Sequence, residues 1–298
     1  MRWLVIGANG QLGKALSSIL SNRGIEYSAL DSMQLNITSS DDVVRVVRAF
    51  TPNVIVNAAA WTDVDGAESN PEGARAVNAD GPLHLACAAK ASGAVFVHIS
   101  TDYVFSGPTD YPWKEDDLRA PLSVYGTTKA AGEDAVLAEY AESSYIFRTA
   151  WLYSPWGRNF AKTMVRLALK GLGEVKVVDD QIGQPTSSTD LANQIIEGII
   201  AELPFGIYHA TNSGQGSWFD FAQEIFTLCG DGVSPDRLTR TDSSAHIRPA
   251  KRPSYSVLGH EGWTKRGASG VLVPEMRDWR LALRDAMPAI VSAVKAEE

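Results

Sequence analysis

A short apolar run, Trp3-Leu4-Val5-Ile6, breaks directly into Gly7-Ala8-Asn9-Gly10-Gln11-Leu12-Gly13, after which the pattern turns helical. Strand, glycine turn and helix in that order constrain the chain more than any other feature. Glycines let the backbone turn tightly and approach a pyrophosphate, whose charge then meets the free N–H groups and positive end of the helix. The GxxGxxG run therefore predicts a dinucleotide site along Gly7, Gly10, Gln11 and Leu12; the plainer reading is a Gly-rich connection that binds nothing. A P-loop does not fit, because Ala8 fills its required first glycine and Ala15 its magnesium-binding Ser/Thr. Asp31 follows about 20 residues after the turn, where a carboxylate accepts hydrogen bonds from the adenosine ribose hydroxyls. That favours NADH over NADPH, since a 2′-phosphate is repelled. Asp31 as an ordinary turn residue is the alternative.

The alternation continues. Apolar runs at Trp3–Ile6, Tyr27–Leu30, Val54–Val56, Val95–Ile99 and Tyr145–Phe147 have the length of strands in a parallel sheet. Gln11–Leu20, Asp41–Phe50 and Gly81–Ala91 between them read as helices. The second opens on Thr38-Ser39-Ser40 as cap candidates, with Asp41 and Asp42 in its first turn. Right-handed βαβ units follow, and with them an α/β chain: a Rossmann-type doubly wound parallel sheet with a smaller C-terminal substrate-binding α/β cap. Residues 1–150 are expected to form the NAD(P)-binding domain, completed by part of 178–205, and residues 151–298 mainly the substrate-binding domain. The rhythm loosens in that second part, which carries Trp151, Trp156, Trp218, Trp263 and Trp279 among frequent Gly/Pro breaks. Helices at Phe160–Leu169, Thr189–Ile200 and Trp218–Leu228 and strands at Val175–Val178 and Gly206–His209 are expected there.

Charge excludes one class of partner. With 27 Lys+Arg against 35 Asp+Glu the net charge is −8, the wrong sign for binding nucleic acid by phosphate neutralisation. The opening apolar run is far shorter than the roughly 18 residues of a membrane span and lacks the layout of a signal peptide, so a cytoplasmic protein without membrane contact is expected. Cys87 and Cys229 show no CxxC spacing, which argues neither a disulfide framework nor a zinc site, and both read as reduced core thiols.

Tyr125-Gly126-Thr127-Thr128-Lys129 puts a phenol and an ammonium one helical turn apart on the same face. A phenol with a pKa of about 10 is sluggish near neutrality, and a neighbouring ammonium favours the phenolate. YxxxK alone recurs by chance, so its neighbours decide. The run Val95–Ile99 ends in Ser100-Thr101-Asp102-Tyr103, setting a hydroxyl at the carboxyl end of a parallel strand, where open α/β sheets bind ligands. Thr101, Tyr125 and Lys129 together describe hydride transfer to a carbonyl, with Thr101 and Tyr125 stabilising the oxyanion and Tyr125 supplying the proton. Thr101 also reads as a strand-end hydroxyl satisfying nearby backbone. The histidines at 84, 98, 209, 246 and 260 make no HExxH and are read as structural.

These residues resemble the extended short-chain dehydrogenase/reductase superfamily. Longer strings narrow the likeness to the dTDP-4-dehydrorhamnose reductases: Val54 to Thr62 (VIVNAAAWT), Ser100 to Phe105 (STDYVF), Phe147 to Tyr153 (FRTAWLY), Asp180 to Thr186 (DQIGQPT) and Arg252-Pro253 with Ser256 and Leu258. The resemblance spans nearly the whole chain. It implies reduction of the C4 ketone of dTDP-4-dehydro-L-rhamnose by NADH or NADPH, a nucleotide sugar being the small-molecule partner. By matched motif, Gly10, Gln11, Leu12, Asp31, Ala60, Trp61 and Thr62 line the dinucleotide, with Ile37 and Ala59 beside them and Tyr125 and Lys129 at its nicotinamide half. Thr101, Asp102 and Trp151 are implied to meet the sugar, though Trp151 also reads as a core aromatic. Arg158, Lys162 and Arg252 are candidates for the substrate diphosphate, because a diphosphate needs cations.

Two departures stand out. Related chains often carry Asp where this one has Asn36, so the adenine contact there is altered. Some dimerise around magnesium through carboxylates at positions matching Ala15 and Thr189; no metal site is therefore expected, and a homodimer, if formed, needs other contacts. Competing readings are a nucleotide-sugar epimerase or dehydratase on the same fold, and a non-catalytic module like the regulatory β subunit of methionine adenosyltransferase. A dehydratase generally needs Asp-Glu after the Ser/Thr, whereas Thr101 is followed by Asp102-Tyr103. Retention of Thr101, Tyr125 and Lys129 weighs against the module.

Overall fold

Six strands form one fully parallel sheet, and their order fixes where a ligand cleft opens. The computed structural model describes residues 1–230, 232–245, 247–265 and 267–297. β1 (Trp3–Ile6), α1 (Gln11–Asn22), β2 (Tyr27–Leu30), α2 (Ser40–Phe50) and β3 (Val54–Asn57) come first. The short helices α3 (Val64–Ser69) and α4 (Pro71–Arg75) and a π-helical turn (Ala76–Asp80) lead into α5 (Gly81–Ser92), β4 (Val95–Thr101), α6 (Val124–Tyr140) and β5 (Ser144–Thr149). β1 and β3 bury every residue, as strands covered on both faces do. Ser39 caps α2 by accepting a hydrogen bond from the Asp42 N–H, with Asp41 and Asp42 set against the helix dipole.

The second half contributes β6 (Leu152–Tyr153), α7 (Phe160–Lys170), β7 (Val175–Val178), β8 (Ile182–Gly183), β9 (Thr186–Ser187), α8 (Ser188–Ile200), β10 (Gly206–His209), β11 (Gly216–Ser217), α9 (Trp218–Leu228), β12 (Leu238–Thr241) and α10 (Trp279–Ala296). β10 returns to the main sheet beside β5, giving the order β10-β5-β4-β3-β1-β2. This is the flavodoxin-like sequence of doubly wound strands, with its switch point between β1 and β3. α8 returns with it, and Leu191, Ile195 and Ile196 pack with Leu12, Leu16 and Leu20 in the core under the sheet. A second core joins α7, α9 and α10 around Phe221, Trp279 and Leu283, next to the parallel pair β7–β12. Cys87 is exposed on α5 and Cys229 half-buried, so neither is the core thiol that their spacing suggested. Among the described residues no helix is long and apolar enough to cross a membrane.

α6 is held by charge as well as by packing. Glu133, wholly buried on α6, receives Arg148 of β5 through Nε–Oε1 at 2.9 Å and Nη2–Oε2 at 2.7 Å. Ser100 of β4 donates to the same carboxylate at 2.5 Å, and Arg119 Nη1 donates at 3.0 Å. One carboxylate thus fastens a helix to two strands. Deleting one partner of a buried pair strands the other charge in the core, at a cost of about 3–5 kcal/mol. Glu133→Ala is expected to lose about that much unfolding free energy, read as a lower urea midpoint at unchanged slope. A midpoint equal to that of the wild type overturns this account of the pair.

Candidate active site

The carboxyl ends of β1, β3, β4 and β5 open into a cavity of about 840 Å³. Its first wall is the glycine turn. Gly7 adopts φ +88°, and a Cβ there would stand 2.7 Å from the Ala59 nitrogen; one on Gly13 would stand 2.2 Å from the Gly7 carbonyl oxygen. Only glycine fits either position. α1 begins with Gly10 as an uncapped N-terminus and has no acidic residue in its first turn, which leaves its N–H groups to an anion. A dinucleotide pyrophosphate fits this cradle.

Gly7, Gly10, Gln11, Leu12, Asp31, Asn36, Ile37, Ala59, Ala60 and Thr62 all line the cavity. The Gln11 side chain is already engaged: Oε1 accepts from Ser154 Oγ at 2.8 Å and Asn159 Nδ2 at 2.9 Å, while Nε2 donates to the Leu152 carbonyl. Asp31 is a turn residue on the cavity wall. Its Oδ1 accepts the Met33 and Gln34 N–H groups as a turn residue does, and Oδ2 accepts from Asn9 at 2.7 Å on the cavity side. Asn36 closes a turn of its own, accepting from the Thr38 N–H and hydroxyl. Trp61 stands off the wall, because its indole N–H donates to the Asp63 carbonyl and its backbone N–H to Asn78 Oδ1.

Thr101, Tyr125 and Lys129 all line the same cavity. Ser123 caps α6 through the Gly126 N–H, Glu68 of α3 accepts the Val124 N–H at 2.8 Å, and Asn78 donates to Thr128; together these fix the helix start that carries Tyr125. Thr101 Oγ1 donates to Asp102 Oδ1 at 3.0 Å and accepts the Tyr103 N–H. Burial pushes the Tyr125 phenol up to about 12, against the opposing pull of the Thr101 hydroxyl. Burial also pulls Lys129 down to about 8, with Glu133 acting the other way. Lys129 Nζ donates to the Ile99 carbonyl at 2.5 Å and lies 3.4 Å from His98 Nε2. The lysine is thus committed to β4, and the expected lowering of the phenol pKa by Lys129 is replaced by a raised one. Asp102 is buried too, which lifts its carboxyl to about 6 against hydrogen bonds from Ser256 and Thr101.

Trp151 forms the remaining wall. It adopts φ +44°, a strained value for a non-glycine residue and one that clusters at functional sites. Its ring stacks on Trp218 with centroids 3.6 Å apart and planes 9° from parallel, and Trp218 lines the cavity as well. Nothing in local spacing couples two indoles so far apart in the chain, and Trp218 is not foreseen from the sequence. Of the three cations proposed for a diphosphate, only Arg158 lines the cavity. Arg252 pairs with Asp65 at 2.9 Å. Lys162 is buried on α7 with Nζ 2.5 Å from Glu297, which withdraws it from any ligand. Among the described residues no cluster of three or more His, Cys, Asp or Glu is arranged to hold a metal ion. His84 bonds the Ile37 carbonyl, His209 the Gly259 carbonyl and His260 Thr211, whereas His98 stands behind Lys129. His246 lies outside the described residues.

The chain is similar to known proteins. The RmlD substrate binding domain family matches residues 1–291. A dTDP-4-dehydrorhamnose reductase of Streptomyces griseus is 46% identical over 293 residues, covering 97% of this chain and 94% of that protein. A probable dTDP-4,6-dihydroxy-2-methyloxan-3-one 4-ketoreductase of Streptomyces antibioticus is 43% identical, covering 98% and 97%. A crystal structure of dTDP-4-dehydrorhamnose reductase from Bacillus anthracis in complex with NADP superimposes with a TM-score of 0.89 at 37% identity, covering 96% of this chain and 98% of that one.

The stacked indoles offer a direct check on the cavity wall. A Cβ on Gly183 would stand 2.6 Å from the Trp151 ring, and the ring has Trp218 stacked on it. Gly183→Ala is therefore expected to separate the pair and to remove the exciton couplet that stacked indoles give in circular dichroism. A retained couplet contradicts the packing described.

Proposed function

The chain belongs to the RmlD substrate binding domain family, and on that premise we propose that it reduces the C4 ketone of dTDP-4-dehydro-L-rhamnose to dTDP-L-rhamnose, using NADH or NADPH. The observation that carries this reading is the presence of Thr101, Tyr125 and Lys129 on one cavity that the uncapped glycine turn also lines. Bound NADH or NADPH supplies the hydride. The hydroxyls of Thr101 and Tyr125 hold the ketone oxygen and stabilise the charge that develops on it. Tyr125 Oη then gives up its proton. Its raised pKa keeps it a neutral phenol at neutral pH, the form that has a proton to give. Lys129 holds the cofactor ribose, and Asp102 takes sugar hydroxyls. Trp151, braced by Trp218, offers its ring to the apolar face of the hexose. Arg158 is the cation assigned to a diphosphate. The protein works in the cytoplasm with small-molecule ligands; with Ala15 and Thr189 at the positions matched to carboxylates, any homodimer forms without a magnesium bridge there.

A second reading keeps the chemistry and changes the sugar. The likeness to the Streptomyces antibioticus ketoreductase supports another dTDP-4-keto-deoxysugar as substrate. A panel of 4-keto nucleotide sugars decides between them by NADH and NADPH oxidation, with dTDP-4-dehydro-L-rhamnose generated in place by the preceding epimerase. Turnover on that sugar is expected to be the fastest, and oxidation with none of the panel overturns the reading.

Tyr125→Phe keeps the ring and its packing, so cofactor affinity is expected to persist while kcat falls by roughly 10²–10⁴. Near-normal turnover by the folded variant removes the proton donor from the scheme. Asp31 is expected to make NADH at least as good a cofactor as NADPH, because its carboxylate pairs with a ribose diol and repels a phosphate. Asp31→Ala then shifts the kcat/KM ratio toward NADPH; an unmoved ratio confines Asp31 to its turn.

A further inference from the structure

His98 lies directly behind Lys129, and the hydrogen-bonding groups around it determine which of its ring nitrogens carries the proton. Asn57, buried at the end of β3, accepts the Ala59 N–H with Oδ1 at 3.2 Å. A backbone N–H can only donate, so the amide oxygen must face Ala59 and the amide nitrogen must face the other way. That nitrogen, Nδ2, lies 3.3 Å from His98 Nδ1. It too can only donate, which makes Nδ1 an unprotonated acceptor. His98 is wholly buried, and desolvation holds its pKa well below the ordinary histidine range, so the ring is neutral and its one proton sits on Nε2. The Nε2–H group faces Lys129 Nζ at 3.4 Å. Nζ accepts such a bond only as a free amine, while its own N–H donates to the Ile99 carbonyl. The chain Ala59, Asn57, His98, Lys129, Ile99 is consistent in one direction only. With an ammonium at Nζ, two donors would face one another.

We infer that His98 is a positioning residue that favours the amine form of Lys129, and that in mildly alkaline solution filling the cavity with a dinucleotide therefore draws a proton from solvent onto Lys129. The inference rests on the proposed function in one respect, that the cavity takes a nicotinamide dinucleotide. The anionic pyrophosphate and the ribose hydroxyls favour the ammonium, whereas the imidazole N–H favours the amine. Other groups set the background. On α6, Glu133 favours the ammonium but is shared with Arg148 of β5 and Arg119, and Tyr125 stays a neutral phenol. At the end of β4, Asp102 acts on the phenol and is ionised above its pKa of about 6. Asn78, from the π-helical turn, carries no charge. Lys129, pulled to about 8 by burial, is accordingly the group in this cluster that changes state in mildly alkaline solution.

The test is calorimetric titration of NADH into the whole protein at several pH values, each in two buffers of different ionisation enthalpy, so that the number of protons taken up is read directly. NADH is chosen because it lacks the 2′-phosphate of NADPH, which titrates by itself. Uptake is expected to be close to zero near pH 6.5 and to approach one proton per site near pH 9. Lys129→Met should abolish it. His98→Leu, which removes the donor, should move the uptake curve to higher pH by about one unit. His98→Gln, which restores an N–H near the Nε2 position, should bring it back. Nitrogen-15 spectra of histidine-labelled wild-type protein decide the tautomer even if a variant fails to fold. Protonation of His98 on Nε2 supports the inference; protonation on Nδ1, or on both nitrogens, overturns it. NADH binding without proton uptake near pH 9, or a curve unmoved in folded His98→Leu, overturns it also. Those outcomes leave the reductase reading standing, whereas absence of NADH binding removes both. Failure to oxidise NADH with any 4-keto nucleotide sugar removes the reductase reading and leaves the calorimetric result intact.

Discussion

The buried carboxylate of Glu133 sets the geometry of the reaction centre. It lies one helical turn beyond Lys129 and two beyond Tyr125, on the same face of α6. Its partners are Arg148 on β5 and Ser100, the residue before Thr101 on β4. The separation between the Thr101 hydroxyl and the Tyr125 phenol is therefore tied to this one ion pair. Apolar side chains of similar volume can equal or exceed a buried ion pair in stability. What they lack is direction. Ridges of leucine on α6 would let the helix slide along its axis, whereas a bidentate guanidinium and a hydroxyl accept one register.

A second set of ties joins the glycine turn to the other half of the chain. Gln11 heads α1, yet its side chain binds Leu152, Ser154 and Asn159, all beyond β5. Trp151 sits at the start of that same segment and owes its positive φ to the Thr186 N–H on its carbonyl and to the indole stacked on its ring. The strain is thus held by contacts from β9 and α9, two elements of the second half. A cleft formed this way is shaped by both cores together, and neither wall is set by its own sequence alone.

How much of this was legible depends on the range of the interaction. The strands, the turn at Gly7 to Gly13, the Ser39 cap and the Tyr125/Lys129 pair are local patterns, and local spacing predicts them. α10 carries Trp279, Leu283, Met287, Ile290 and Val294 at helical intervals, so its signal was present, although Pro288 interrupts the pattern. Trp218, His98 and the loss of Lys162 to Glu297 are different. Each depends on a partner from a distant element: Trp151, Lys129 and the C-terminal Glu297. A cation on a helix reads as a ligand for phosphate until the fold shows which carboxylate it already has. Asp31 shows the intermediate case: its turn reading is a local pattern that Oδ1 fulfils, whereas the bond from Asn9 to Oδ2 joins residues 22 apart and no local spacing predicts it.

Burial acts in opposite directions on the two groups of the YxxxK pair. It raises an acid and lowers a base, so the phenol of Tyr125 and the amine of Lys129 are both driven toward neutrality. The familiar picture of an ammonium lowering its neighbour's pKa needs a solvated or counterbalanced charge; here the carboxylate closest along the helix, Glu133, is committed to Arg148. At neutral pH the phenol is therefore uncharged, whereas Lys129, at about 8, loses its charge only as the solution turns alkaline. In the proposed reduction a neutral phenol is the right starting point, because it must hold its proton until the ketone oxygen gains charge. Oxidation in the reverse direction would start from the phenolate, which this cavity disfavours. The same desolvation that makes the site costly to build therefore keeps the phenol in the protonated form from which the proposed reduction starts.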